Sequence, residues 1–142
     1  MSEDKSTSTN STAEQAAGAN AQAAAASGQE AAESQELISF GIIANAGQAR
    51  SFAFEALRHA REGDYAGAHE LLDQASKMSL EAHHQQTALL SREAAGEHTP
   101  VDVMLVHAQD HLMCAMLAQE LITELVYLHE HKQDREGVSA AE

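Results

Sequence analysis

Basic side chains are scarce in this chain: eight Lys and Arg stand against 22 Asp and Glu, a formal net charge of −14 over 142 residues. Phosphate backbones are bound by clustered Lys and Arg, so the charge argues against a nucleic-acid partner and favours basic proteins or small molecules. There is one cysteine, Cys114, which excludes an internal disulfide and suits a reducing cytosol; within its apolar run it reads as a small buried hydrophobe. The first 33 residues contain no aromatic, Leu, Ile or Val. Such a stretch cannot offset its ordering entropy by burial, so residues 1–33 are expected to form a disordered tail. Its Ala-rich part, Ala16 to Ala26, has no large side chain with which to dock a helix. It also lacks the basic start and apolar centre of a secretory signal, and no other segment is expected to span a membrane. The expected location is cytoplasmic, without membrane insertion.

What is present is helical periodicity. Three segments span residues 34–132, followed by an expected flexible end over 133–142. The first runs from about Gln35 to Glu62 and stops at Gly63. Asp64 can cap the second, which ends near Ala95 before Gly96. Thr99 is the expected cap of the third, with Pro100 at its first position and an end near His131. No alternating pattern marks a strand, so the expected class is all-α, a three-helix antiparallel bundle. The first helix carries one stripe of Ile42, Ala46, Ala49, Ala53, Ala56 and Ala60, and another with Phe40, Ile43, Phe54 and Leu57. The third is apolar around most of its circumference, more than two neighbouring helices can cover. A homo-oligomer with the third helix central is therefore expected.

Inside that third helix lie His107, Asp110 and His111. His107, His111 and Cys114 share one row, with Asp110 about 60° to the side. The i, i+4 histidine pair has three readings: satisfied core histidines, a two-histidine metal site, or a reactive imidazole with a helper. If Val103, Val106, Asp110, Met113 and Leu117 face a symmetry axis, the carboxylates converge and need a proton or a hard cation; a local hydrogen bond is the plainer alternative for Asp110. Glu81, His83, His84, Gln85 and Gln86 add polar density on the second helix. His59, His69, His98, His129 and His131 read as surface groups. There is no Gly-rich phosphate loop, no Ser with its base and no paired-carboxylate signature. A reactive group would have to be imidazole, which can hold and pass on a phosphoryl group.

Gly41-Ile42-Ile43-Ala44-Asn45-Ala46-Gly47-Gln48-Ala49-Arg50-Ser51, Gly63-Asp64-Tyr65, Glu81-Ala82-His83 with Gln86-Thr87, Leu105 to Met113 and Glu120 to Leu125 together resemble the enzyme IIA component of the lactose/cellobiose class of the bacterial sugar phosphotransferase system. The likeness covers about Glu36 to Lys132, and Ala108 with the Glu120 to Leu125 string is closer to the chitobiose/cellobiose branch. The resemblance implies a homotrimer that accepts a phosphoryl group from HPr and passes it to a cysteine of enzyme IIB during uptake of a β-linked disaccharide. It implies that His107 is the acceptor, as a tele-phosphohistidine, and that Asp110 holds a metal at the threefold axis, Mg2+, one per trimer. Gln109 and His111 match motif positions that would support the imidazole or its phosphoryl group. Two rivals stand beside this reading: a non-catalytic helical interaction module, and a two-component histidine phosphotransfer domain.

Overall fold

Helices account for nearly all of the backbone. The computed structural model describes the backbone of residues 7–139 and the side chains of residues 18–132. α1 spans Thr7–Arg61, α2 Tyr65–Ala94 and α3 Val103–Ser139. The chain divides into two units, Met1–Gln35 and Glu36–Glu142.

In the first unit, residues 18–34 are helical and exposed throughout. Alanine is the best intrinsic helix former, so local propensity is enough to set this backbone. The tail expected over residues 1–33 buries nothing over its described residues 18–33, and its backbone is helical from Thr7. Residues 1–6 lie outside the described residues. The expected flexible end, residues 133–142, lies outside those with described side chains, and the backbone of α3 continues to Ser139.

In the second unit the alanine stripe of α1 is the bundle's seam. Ile42, Ala46, Ala49, Ala53, Ala56 and Ala60 are at most 1 % exposed. Small side chains allow close helix approach, and two clusters form along the seam. Ile42, Ala46, Ala82, Leu89, Leu105, Ala108, Leu112 and Ala115 make one. Ala53, Ala56, Ala60, Ala68, Leu72, Ala75, Ile122 and Val126 make the other. Polar ties hold α2 against α3: Ser79 Oγ donates to Gln119 Oε1 at 2.6 Å, and Tyr65 OH donates to the His129 carbonyl at 3.2 Å.

Both turns contain a left-handed glycine and a histidine–carboxylate pair. Gly63 has φ 84° and Gly96 φ 87°, a conformation that only a residue without Cβ adopts cheaply. Asp64 Oδ1 accepts the Gly67 amide at 3.1 Å, while Oδ2 meets His59 Nδ1 at 2.7 Å. The His59 ring is the main cause that holds the Asp64 carboxyl below its usual range, with the Gly67 amide second. A Cβ on Gly67 would collide with Asp64 Oδ2 and come within 2.7 Å of His59 Nδ1. At the second turn Glu93 accepts the Thr99 amide at 2.9 Å and meets His98 Nδ1 at 2.7 Å; its carboxyl is lowered by those two partners in that order.

The cap of α3 is a correction. Thr99 was the expected cap, but its amide is taken by Glu93 and Pro100 lies before the helix. Asp102 Oδ1 accepts the Leu105 amide at 2.7 Å instead, so α3 begins at Val103. A second correction concerns length: over Val103–Lys132, α3 is long and apolar enough to cross a membrane by length and composition. Its Leu105, Ala108, Leu112, Ala115, Ile122 and Val126 pack into the bundle, and Asp110, Glu120 and Glu124 would be costly in hydrocarbon. A helix tied into the bundle along one row and carrying these carboxylates is poorly suited to lipid.

Candidate functional site

The inward row of α3, Leu105, Ala108, Leu112 and Ala115, fixes where the other side chains emerge. Each residue turns the helix by about 100°, so Val106 and His107, one and two residues on from Leu105, and Asp110, two on from Ala108, leave the bundle. His107 is exposed and His111 half-buried. Their rings meet edge to face, with centroids 5.0 Å apart and planes at 69°. Among the described residues no hydrogen bond or ion pair occupies either ring. His59, His69 and His98 differ, since each faces a carboxylate.

Asp110 is exposed on the next flank, in a stripe with Val103, Val106, Met113 and Leu117. Cys114 is a correction: the thiol expected to be buried is exposed and donates weakly to Asp110 Oδ1 at 3.8 Å. It lies on the row of His107 and His111, which faces away from the seam. Among the described residues of one chain, no group of three or more His, Cys, Asp or Glu is placed to hold a metal.

Gln109 points inward, away from His107. Gln86 Nε2 donates to Gln109 Oε1 in a short, part-buried bond that ties α2 to α3. The pair had a signal in the sequence. Gln86 interrupts the row Ala82, Leu89, and Gln109 interrupts the row Leu105, Leu112, so each is the polar break in a buried stripe. The structure thus joins His107 with His111, and Asp110 with Cys114, and sends Gln109 to a different neighbour.

An unencumbered imidazole on a rigid helix can attack an electrophile and carry it without any pocket for a small substrate. Such a geometry is compatible with a histidine-based group carrier. The family model described as "PTS system, Lactose/Cellobiose specific IIA subunit" matches residues 37–130. The N,N'-diacetylchitobiose-specific EIIA component of Escherichia coli (strain K12) is 52 % identical over 103 residues, 72 % of this chain and 88 % of that relative. The lactose-specific EIIA component of Lactococcus lactis subsp. lactis is 44 % identical, over 68 % of this chain and 92 % of that one. Among solved structures, the cellobiose-specific enzyme IIA from Bacillus anthracis superposes with TM-score 0.67 at 46 % identity, covering 69 % of this chain and 90 % of the other. The IIA(Chitobiose) chain solved in complex with HPr, from the diacetylchitobiose branch of the Escherichia coli phosphotransferase system, gives 0.61 at 48 % identity, covering 69 % and 95 %. The chain belongs to the lactose/cellobiose-specific enzyme IIA family of the phosphotransferase system. Membership sets aside both the non-catalytic module and the two-component phosphotransfer domain.

Proposed function

We propose that this protein carries a phosphoryl group on His107, between HPr and the enzyme IIB of a β-linked disaccharide system in the cytoplasm. The observation that carries the assignment is the exposed His107 ring, free of any described hydrogen-bond partner and braced by His111. In the first step a lone pair of His107 attacks phosphorus as the P–N bond to the donor's imidazole breaks, and the donor ring keeps that electron pair. In the second step the thiolate of enzyme IIB attacks phosphorus and the His107 ring recovers its electrons. Bonds formed and broken balance in each step, and the P–N bond stays labile. HPr is named as donor because the solved relative was captured in complex with it. The higher identity to the diacetylchitobiose-specific relative, 52 % against 44 % for the lactose-specific one, supports a sugar on the chitobiose/cellobiose side.

The assembly reading is a homotrimer with α3 at its centre. Val103 is 86 % exposed, and Val106, Met113 and Leu117 are each more than half exposed, a stripe too apolar to leave in water. Asp110 is the carboxylate within that stripe, so three copies would bring three carboxylates to one axis. A hard oxygen donor set of this kind fits Mg2+. The cation would be held by the three Asp110 side chains, and the chemistry it supplies is neutralisation of their charge. A phosphoryl group adds nearly two negative charges to a chain already at −14, so drawing Asp110 toward a shared cation eases phosphorylation at His107.

The test is incubation with phosphorylated HPr and mass analysis of the labelled residue. A single phosphoryl group on wild type and none on His107→Gln is expected. Undiminished labelling of the variant would refute the assignment.

A further inference from the structure

We propose that His107 and His111 together form a two-histidine site for zinc, and that zinc bound there competes with the phosphoryl group for the His107 ring. The competition clause rests on the phosphocarrier reading; the metal site does not. The rings are one turn apart on the same helix, with centroids 5.0 Å apart, close enough for one nitrogen of each to turn toward a common ion. Neither is committed to a described carboxylate or backbone group, so no existing bond must break first. His107 is exposed, which leaves water access to complete a tetrahedral shell. The helix beneath is anchored by Leu105, Ala108 and Leu112, all buried in one cluster, so the two donors are held on a rigid element.

Chemistry separates this site from Asp110. Imidazole nitrogens are borderline donors that suit zinc, whereas a carboxylate alone favours harder ions. Asp110 also lies on the neighbouring flank, about 60° from His107, and meets Cys114. The other described pairs of this kind are unlike it. His59, His69 and His98 each face one carboxylate at a turn or helix end, and Tyr127 covers His131 with ring centroids 3.8 Å apart. The functional consequence follows from the lone pair: a ring nitrogen bound to zinc cannot attack phosphorus, and a phosphorylated ring loses one of the two donors. Zinc would therefore act as a reversible inhibitor of phosphoryl acceptance.

Calorimetric titration of the untagged full-length protein with zinc chloride, read beside the imidazole proton resonances, tests the site. One zinc per chain is expected, shifting the His107 and His111 resonances together. His107→Gln and His111→Gln should each weaken binding about tenfold or more, while Asp110→Asn and Cys114→Ser leave it within about twofold. Circular dichroism shows whether each variant keeps its helix content. Binding unchanged in both histidine variants, or no binding up to about 1 mM zinc, would overturn the site. For the competition clause, zinc at ten times its Kd should slow labelling by phosphorylated HPr about elevenfold, by mass action, with recovery on chelation. Unchanged labelling at that occupancy would overturn the competition while the calorimetry stands. No labelling even without zinc would instead sink the phosphocarrier reading, and the titration alone would still decide the metal site.

Discussion

Three side chains at the site have different neighbours and should fail differently. His107→Gln removes the proposed nucleophile, so labelling by phosphorylated HPr should vanish while the fold stays intact, because the ring is exposed. His111 touches His107 edge to face and, in the proposed transfer, supports the acceptor ring. His111→Gln should slow labelling about tenfold, a loss of roughly 1.4 kcal/mol in the transition state, as read from a labelling time course. Equal rates would show that the ring contact does not orient the acceptor. Gln109 is bonded to Gln86 across the helices. Gln86→Leu leaves a part-buried carbonyl oxygen without its donor, which costs about 1–3 kcal/mol. The unfolding free energy from urea denaturation should fall by that amount while labelling proceeds near the wild-type rate. A large rate loss with unchanged stability would move Gln109 into the transfer step.

At the level of elements, the caps and turns are where local chemistry is testable. Asp102→Ala removes the side chain that accepts the Leu105 amide and should cost about 1 kcal/mol; urea denaturation checks this, and loss of the same size in Thr99→Ala would return the cap to Thr99. Asp64 is held below the usual carboxylate range by His59 and the Gly67 amide. A depressed carboxyl contributes stability above its unfolded pKa and loses it as pH falls through the folded one. Thermal midpoints should therefore drop on acidification from about pH 5 toward pH 3, and Asp64→Asn should flatten that drop. An unchanged slope would show that the turn contributes nothing to acid lability. Much of this was legible in the residues. Gly63 and Gly96 marked the two turns because positive φ selects glycine; α1 offered two apolar stripes, and the one from Ile42 to Ala60 is the seam because its small side chains let other helices approach closely. Thr99 misled because a threonine before proline looks like a cap; the carboxylate that claims its amide, Glu93, belongs to the previous helix. Cys114 misled because an apolar run says nothing about which side of a nearly all-apolar helix is inward. The His107–His111 pair was visible as a spacing, whereas the Gln86–Gln109 bond depends on how α2 and α3 are registered, which no single helix encodes.

For the molecule as a whole, the apolar circumference of α3 and its carboxylate bear on the proposed trimer in opposite directions. Val103, Val106, Met113, Leu117, Leu121 and Leu128 are all more than half exposed in a single chain. Such a surface favours self-association, while three Asp110 carboxylates brought to one axis oppose it unless a cation or a proton intervenes. The opposition is local and the attraction is spread along the helix. Sedimentation equilibrium should therefore find three times the 15.1 kDa chain mass in magnesium, and a weaker trimer after chelation. Asp110→Leu removes the repelling charge and replaces it with a side chain that suits the stripe, so its trimer should be at least as stable as wild type and indifferent to chelator. Exchanging even a buried ion pair for apolar groups is commonly neutral or stabilising by about 1–4 kcal/mol, and like charges have no mutual attraction to lose, so the dissociation midpoint should not fall. Deletion of residues 1–33 should leave this equilibrium and the melting temperature unchanged, since residues 18–33 bury nothing. A wild-type chain that sediments as a monomer with and without magnesium would refute the central placement of α3. A trimer whose chelator sensitivity survives Asp110→Leu would place the cation elsewhere.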